Sequence, residues 1–182
     1  MTNPERDEPR FDTDSAEVQA LRDKMLSPAL LSAYMLAKLP LALIAGLRIR
    51  SFDADHCAVS VPYRWLTTNP FRSTYFAALS MAAEMSTGAL GLSVVEAAPE
   101  PISILIVRME GQFVKKATDL TTFTCRAGAE MAQAVATALA TGESVECTAE
   151  TIGTNPDGVE VARFTFTWSF KKKRKRKQRS RE

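Results

Sequence analysis

Asn69 to Gly91 reads NPFRSTYFAALSMAAEMSTGALG, and this stretch decides the fold. The spacing predicts one helix from Thr74 to Ala89, with Ser73 or Thr74 as its N-cap and Gly88 or Gly91 near its end. Ala, Leu, Met, Phe and Tyr occupy nearly every face. A helix that is apolar all round belongs inside a fold rather than on its surface. It carries one charge, Glu84. The face through Glu84 is a narrow stripe of small and polar residues: Ser73, Ala77, Ser80, Thr87 and Gly91. A carboxylate on such a seam is either paired or put to work. Arg64, Arg72 and Arg108 are the candidate partners for an ion pair.

The chain has 182 residues, enough for one domain with a substantial core. Its formal charge of +2 hides an asymmetry. The last twelve residues, KKKRKRKQRSRE, hold nine basic residues and one acidic one; the body holds 14 basic and 20 acidic. A solvated tail is the plain reading of 171–182, and contact with nucleic acid or an anionic membrane is the functional one. Cys57, Cys125 and Cys147 are widely spaced, form no C-x-x-C pair and sit in strand-like runs, which favours a reducing, cytoplasmic setting. No basic start followed by an apolar run suggests a secretory signal. The apolar run 29–47 is interrupted by Lys38 and Pro40 and reads as two short helices rather than a membrane span.

Residues 1–13 read as a mobile terminus and 14–46 as N-terminal helices, with Ser27-Pro28 opening one helix, Pro40 breaking it and Gly46 closing the second piece. Strands are expected at 47–52 and 57–63 around the turn 53–56. His56, in that turn, is the sole histidine, which rules out a multi-histidine metal site. After the central helix come a strand at 102–110, apolar on nearly both faces and therefore expected inside the sheet, with a bulge at Gly111 and an extension over 112–116. A strand at 120–126, a helix at 129–140 and a strand at 144–151 follow. Asn155-Pro156-Asp157-Gly158 is hairpin-turn chemistry. In the last strand Phe164, Phe166, Trp168 and Phe170 share one face, which a large element must cover. The order predicts an α+β layer fold, a sheet wrapped around one long apolar helix. No phosphate loop, nucleophile elbow or Cys/His cluster is present.

These residues resemble the hotdog-fold thioesterases, in which a curved antiparallel sheet wraps a central helix and two protomers share an active site. The resemblance covers roughly 47–170. It looks closest to an uncharacterised branch, through Tyr63-Arg64-Trp65, Asn69-Pro70-Phe71, Tyr75-Phe76-Ala77-Ala78, Ala82-Ala83-Glu84 and the run from Phe113 to Asp119. The phenylacetate-type members carry an Asn, then His-Gly-Gly opening the helix, then an acid within it. Asn69 and Glu84 keep the Asn and the acid, while Tyr75-Phe76-Ala77 replaces His-Gly-Gly. The resemblance implies hydrolysis of an acyl-coenzyme A or acyl-carrier thioester. Glu84 would be general base or nucleophile, and Asn69 would orient water or carbonyl. The backbone N–H groups of Phe76 and Ala77 would form the oxyanion hole, and Tyr75, Ser80 and Thr87 would contact substrate. It implies a homodimer or dimer of dimers, no metal, and no cofactor beyond the coenzyme A of the substrate. The alternative is a non-catalytic acyl- or lipid-binding dimer, prompted by the bulky residues at the helix start. For Asn69 alone the plainer role is turn formation before Pro70.

Overall fold

Three short helices precede the first strand in the computed structural model, which describes residues 11–173. They are α1 (Ala16–Leu26), α2 (Pro28–Lys38) and α3 (Pro40–Ala45). Ser15 caps α1, its hydroxyl accepting from the Val18 N–H. Pro28 and Pro40 each stand in the first turn of a helix, where a missing N–H costs nothing. Gly46 ends α3 in the left-handed region at φ 78°. Strands β1 (Arg48–Phe52) and β2 (Cys57–Val61) follow, then a 3-10 turn (Trp65–Thr67) and the central helix α4 (Phe76–Ala97). The remainder is β3 (Ile102–Phe113), β4 (Thr121–Cys125), α5 (Gly128–Thr141), β5 (Ser144–Thr154) and β6 (Glu160–Lys172). Of the two terminal segments set apart in the sequence, 1–10 and 174–182 lie outside the described residues; Phe11 packs against the core.

The six strands form one curved antiparallel sheet in the order β1-β2-β4-β5-β6-β3. Helix α4 lies against its concave face, touching β2, β4, β5, β6 and β3. The inward aromatic face of β6 is as the alternation predicts: Phe164, Phe166, Trp168 and Phe170 are all buried. They are covered by α4 and also by α5, which packs on β5, β6 and α4. Helix α5 thus joins the central helix in covering that face. Helix α1 closes the fold by packing on β1 and α4. Its Arg22 is almost fully buried, bonded to the Asp14 carboxylate and the Thr13 carbonyl at 2.6 Å each, with its guanidinium 5.7 Å from the Phe52 ring centre.

Three expectations are corrected. Helix α4 starts after Tyr75, not at Thr74, and continues two turns beyond Ala89. Its glycines do not stop it, because they are packing sites. A Cβ on Gly91 would stand 3.0 Å from Ile104 Cδ1, and one on Gly88 would stand 3.2 Å from the Trp168 ring. Second, β3 is an edge strand rather than an interior one. It pairs only with β6, and Leu105, Val107 and Met109 are exposed. Third, the irregularity in β3 falls between Ile106 and Arg108, while Gly111 sits in regular register opposite Phe164. Gly111 is required there because the Phe164 ring occupies the space a Cβ would take, 2.5 Å away.

By length and composition α4 is apolar enough to cross a membrane, yet 67% of its most apolar window is buried within this fold. Its apolarity is accounted for by the sheet around it. The run 29–47 forms α2 and α3 as expected.

Candidate functional site

Glu84 is half-buried on α4 and opens into a cavity of about 210 Å³. The walls are Gly88 and Met85 on its own helix, Trp168 on β6, Ile104 on β3, and Tyr34 and Met35 on α2. Its carboxylate lies along the helix toward the following turn, so that Oε1 would be 2.8 Å from a Cβ on Gly88. None of the expected arginines reaches it. Among the described residues no ion pair or hydrogen bond holds that carboxylate. Arg64 instead donates to the Ile44 carbonyl, and Arg108 stands 3.6 Å from Glu110 on the exposed strand. Burial without a compensating charge lifts the Glu84 carboxyl above its ordinary value of 4.5. A carboxylate in that condition accepts a proton readily, as a general base must.

The helix turn carrying Glu84 is held from below. Thr87 is fully buried and its hydroxyl donates to the Glu84 carbonyl at 3.0 Å. The same oxygen accepts from Trp168 Nε1 at 3.1 Å. Thr87 is thus turned toward the sheet. One turn before Glu84, Ser80 bonds its own helix, donating to the Phe76 carbonyl at 2.9 Å. Ser86, on the buried side, shares a 2.8 Å hydrogen bond with Thr151 of β5.

Asn69 lies elsewhere. Its Oδ1 accepts from the N–H groups of Phe71 (2.9 Å) and Ser73 (3.3 Å), and its Nδ2 donates to Ser73 Oγ at 3.1 Å. These bonds build the turn that leads into α4, where Arg72 takes φ 57°. Thr74 then ties the helix entry to the Ala117 carbonyl through both its N–H and its hydroxyl. Asn69, Tyr75, Phe76 and Leu79 line a second hollow of about 480 Å³ with Phe113 at the end of β3 and Lys115 just after it. Tyr75 and Phe76 meet edge to face at 4.8 Å. The N–H groups of Phe76 and Ala77, in the first turn of α4, have no acceptor among the described residues. Within one chain, then, the structure brings Glu84 together with Trp168, Gly88 and α2, and leaves Asn69 and the helix start in a separate hollow.

Trp168, Gly88, Ile104 and the α2 residues are site walls that sequence reasoning did not assign. The strand alternation already put Trp168 inward, and Gly88 stands one turn after Glu84, so both were accessible in principle. The α2 wall was not: no chemistry marks Tyr34 or Met35. His56 is not near this cavity. It holds its own turn, with Nε2 2.9 Å from Ser51 Oγ and Nδ1 2.8 Å from Asp53.

A curved antiparallel sheet wrapped on a long central helix is the hotdog fold, and solved structures share it. PA5026 of Pseudomonas aeruginosa, a protein of unknown function and probable thioesterase, matches with a TM-score of 0.67 at 20% identity, over 82% of this chain and 99% of its own. Thioesterase HI1161 of Haemophilus influenzae matches with a TM-score of 0.59 at 12% identity, over 80% and 91%. A mutant of thioesterase PA1618 from Pseudomonas aeruginosa gives 0.60 at 15%, over 81% and 95%. At these identities the likeness is one of fold. No curated protein matches the sequence. Residues 27–170 match the family described as a domain of unknown function, DUF4442, and the chain belongs to that family.

Proposed function

We propose that the protein hydrolyses acyl thioesters of coenzyme A or an acyl carrier, with Glu84 as the general base that activates water. One observation carries this reading: an unpaired, burial-raised carboxylate facing an apolar cavity on the helix where the fold's thioesterases keep an acid. The free N–H groups of Phe76 and Ala77 are the oxyanion donors in this reading, helped by the positive end of α4. Asn69 positions them by shaping the helix entry, and Tyr75, at the rim, contacts substrate. Ser80 and Thr87 act through the helix, Thr87 by fixing the Glu84 turn. Coenzyme A enters as part of the substrate, and the three unbonded cysteines suit a reducing cytoplasm.

The chain acts as a dimer at least. The support is β3, an apolar edge strand whose exposed Leu105, Val107 and Met109 would otherwise invite unspecific pairing. In this reading the two protomers share a site, as the resemblance implies, with the helix start of one serving the Glu84 cavity of the other.

The test is thiol release from a panel of acyl-coenzyme A esters by wild type and Glu84→Gln. Turnover that the variant loses supports the assignment; full activity in the variant refutes it. A second reading, an acyl-binding dimer without turnover, has its own support in the exposed Phe76 side chain at the helix start, where the phenylacetate-type enzymes have glycine. Tight acyl binding with no turnover on any ester would favour it.

A further inference from the structure

A second cavity of about 300 Å³ lies between α1, α2 and α4. Leu21 and Lys24 of α1, Leu30 of α2 and Leu92 of α4 line it, and it shares Met25, Leu31 and Tyr34 with the Glu84 cavity. The two are therefore neighbours along one wall. On α4, Glu84, Gly88 and Leu92 follow at four-residue steps, so they form a single stripe running from the carboxylate into the second cavity, about 12 Å of helix axis. Along that stripe the surface is almost entirely hydrocarbon. Only the Lys24 ammonium and the Tyr34 phenol bring polar atoms to the second cavity, and Lys24 extends its stem along the apolar wall while its charge reaches water.

We infer that this slot binds the alkyl chain of the substrate, and that the enzyme selects linear acyl groups of medium to long chain. The inference rests on the thioesterase reading above and adds the substrate class. A carbonyl held at Glu84 leaves its acyl chain one continuous apolar path, along Gly88 to Leu92 beneath α1 and α2. A short acyl group leaves the slot unfilled. A charged or hydroxylated chain finds few partners there. Helix α1, which supplies the outer wall of the slot, lies outside the residues 27–170 that match the family.

The experiment uses the full chain and two variants that fill the slot without touching the Glu84 cavity, Leu21→Trp and Leu30→Trp. Leu30 is already exposed, so its replacement tests the slot with little burden on folding. The value of kcat/KM is measured for butanoyl-, octanoyl- and dodecanoyl-coenzyme A, alongside calorimetric binding of the non-hydrolysable thioether analogues of the shortest and longest. In wild type kcat/KM rises with chain length by up to about fourfold per methylene, the hydrophobic increment of one CH₂. In the variants the rise is lost while butanoyl turnover is kept. Equal chain-length slopes in wild type and both variants overturn the slot and leave the thioesterase reading standing. Absence of turnover on every ester overturns the thioesterase reading instead, and the thioethers then decide the slot. Tighter dodecanoyl than butanoyl binding in wild type, lost in the variants, sustains it; equal affinities sink it.

Discussion

Trp168 Nε1 donates to Thr87 Oγ1 at 3.1 Å, joining the last strand to the helix turn that carries Glu84, 81 positions apart in sequence. Both side chains are buried. Thr87 Oγ1 is the one acceptor of the indole N–H among the described residues. Thr87→Val keeps the shape and removes the oxygen, so about 1–3 kcal/mol of stability is expected to be lost. Urea unfolding followed by Trp168 emission, in a Trp65→Phe background, measures it.

Gly88→Ala separates the carboxylate from the helix. Alanine favours a helix interior over glycine by about 1 kcal/mol. Its Cβ would meet Glu84 Oε1 at 2.8 Å and the Trp168 ring at 3.2 Å. The Glu84 side chain is the part able to move, so we expect the fold to persist and thioester turnover to fall by about 10²-fold. Circular dichroism and thiol release on one preparation separate the two effects.

Glu84 makes stability depend on pH in a set direction. Its folded pKa lies above the ordinary 4.5, so between those two values the folded state binds the extra proton. Stability therefore falls as pH rises through that window, and the loss is complete above the folded pKa. Glu84→Gln lacks this slope. The stability difference, wild type minus variant, is expected to decline from pH 4 to a plateau near neutrality. Turnover by wild type runs the other way, rising with pH as the base ionises.

Gly128 and Gly142 bound α5 and respond differently to alanine. A Cβ on Gly128 would overlap the Ala54 carbonyl oxygen in the β1–β2 turn, a backbone atom that cannot swing aside. We expect Gly128→Ala to cost about 3 kcal/mol. Gly142 has open space around it but φ +74°, so alanine there costs about 1 kcal/mol through backbone strain alone. Thermal melts of the two variants side by side check the order.

The cysteines are graded in reactivity. Burial raises all three thiols, Cys125 to about 11 and Cys57 further still, whereas Cys147 is only partly buried. Under native conditions at pH 8 Cys147 is expected to react first with a disulfide reagent. Cys57 and Cys125, facing each other across β2 and β4, should react only on unfolding. Peptide mapping after timed labelling identifies the sites.

Much of this architecture was legible in order along the chain. The buried helix, the aromatic face of β6, the Pro28 and Pro40 helix starts and the Asn155–Gly158 turn all follow from patterns within a few residues. The glycines of α4 misled, because a glycine kept for helix packing and one kept for a helix stop look alike in sequence. The strand at 102–113 misled for a related reason. An apolar strand face is the same whether a second sheet neighbour or another molecule is to cover it.

By itself the sequence determined that the helix bearing Glu84 is buried, and which residues of the last strand face inward. These follow from periodicity, which records whether a face avoids water. What covers each face was decided only by the tertiary structure, since that depends on the meeting of segments far apart in the chain. Met35 of α2, Ile104 of β3 and Trp168 of β6 come together around Glu84 because the sheet order sets β6 between β5 and β3 and the N-terminal helices close over the open side. The same contacts withhold an ion-pair partner from Glu84 and spend Asn69 on a turn. The chemistry open to the carboxylate follows from that packing.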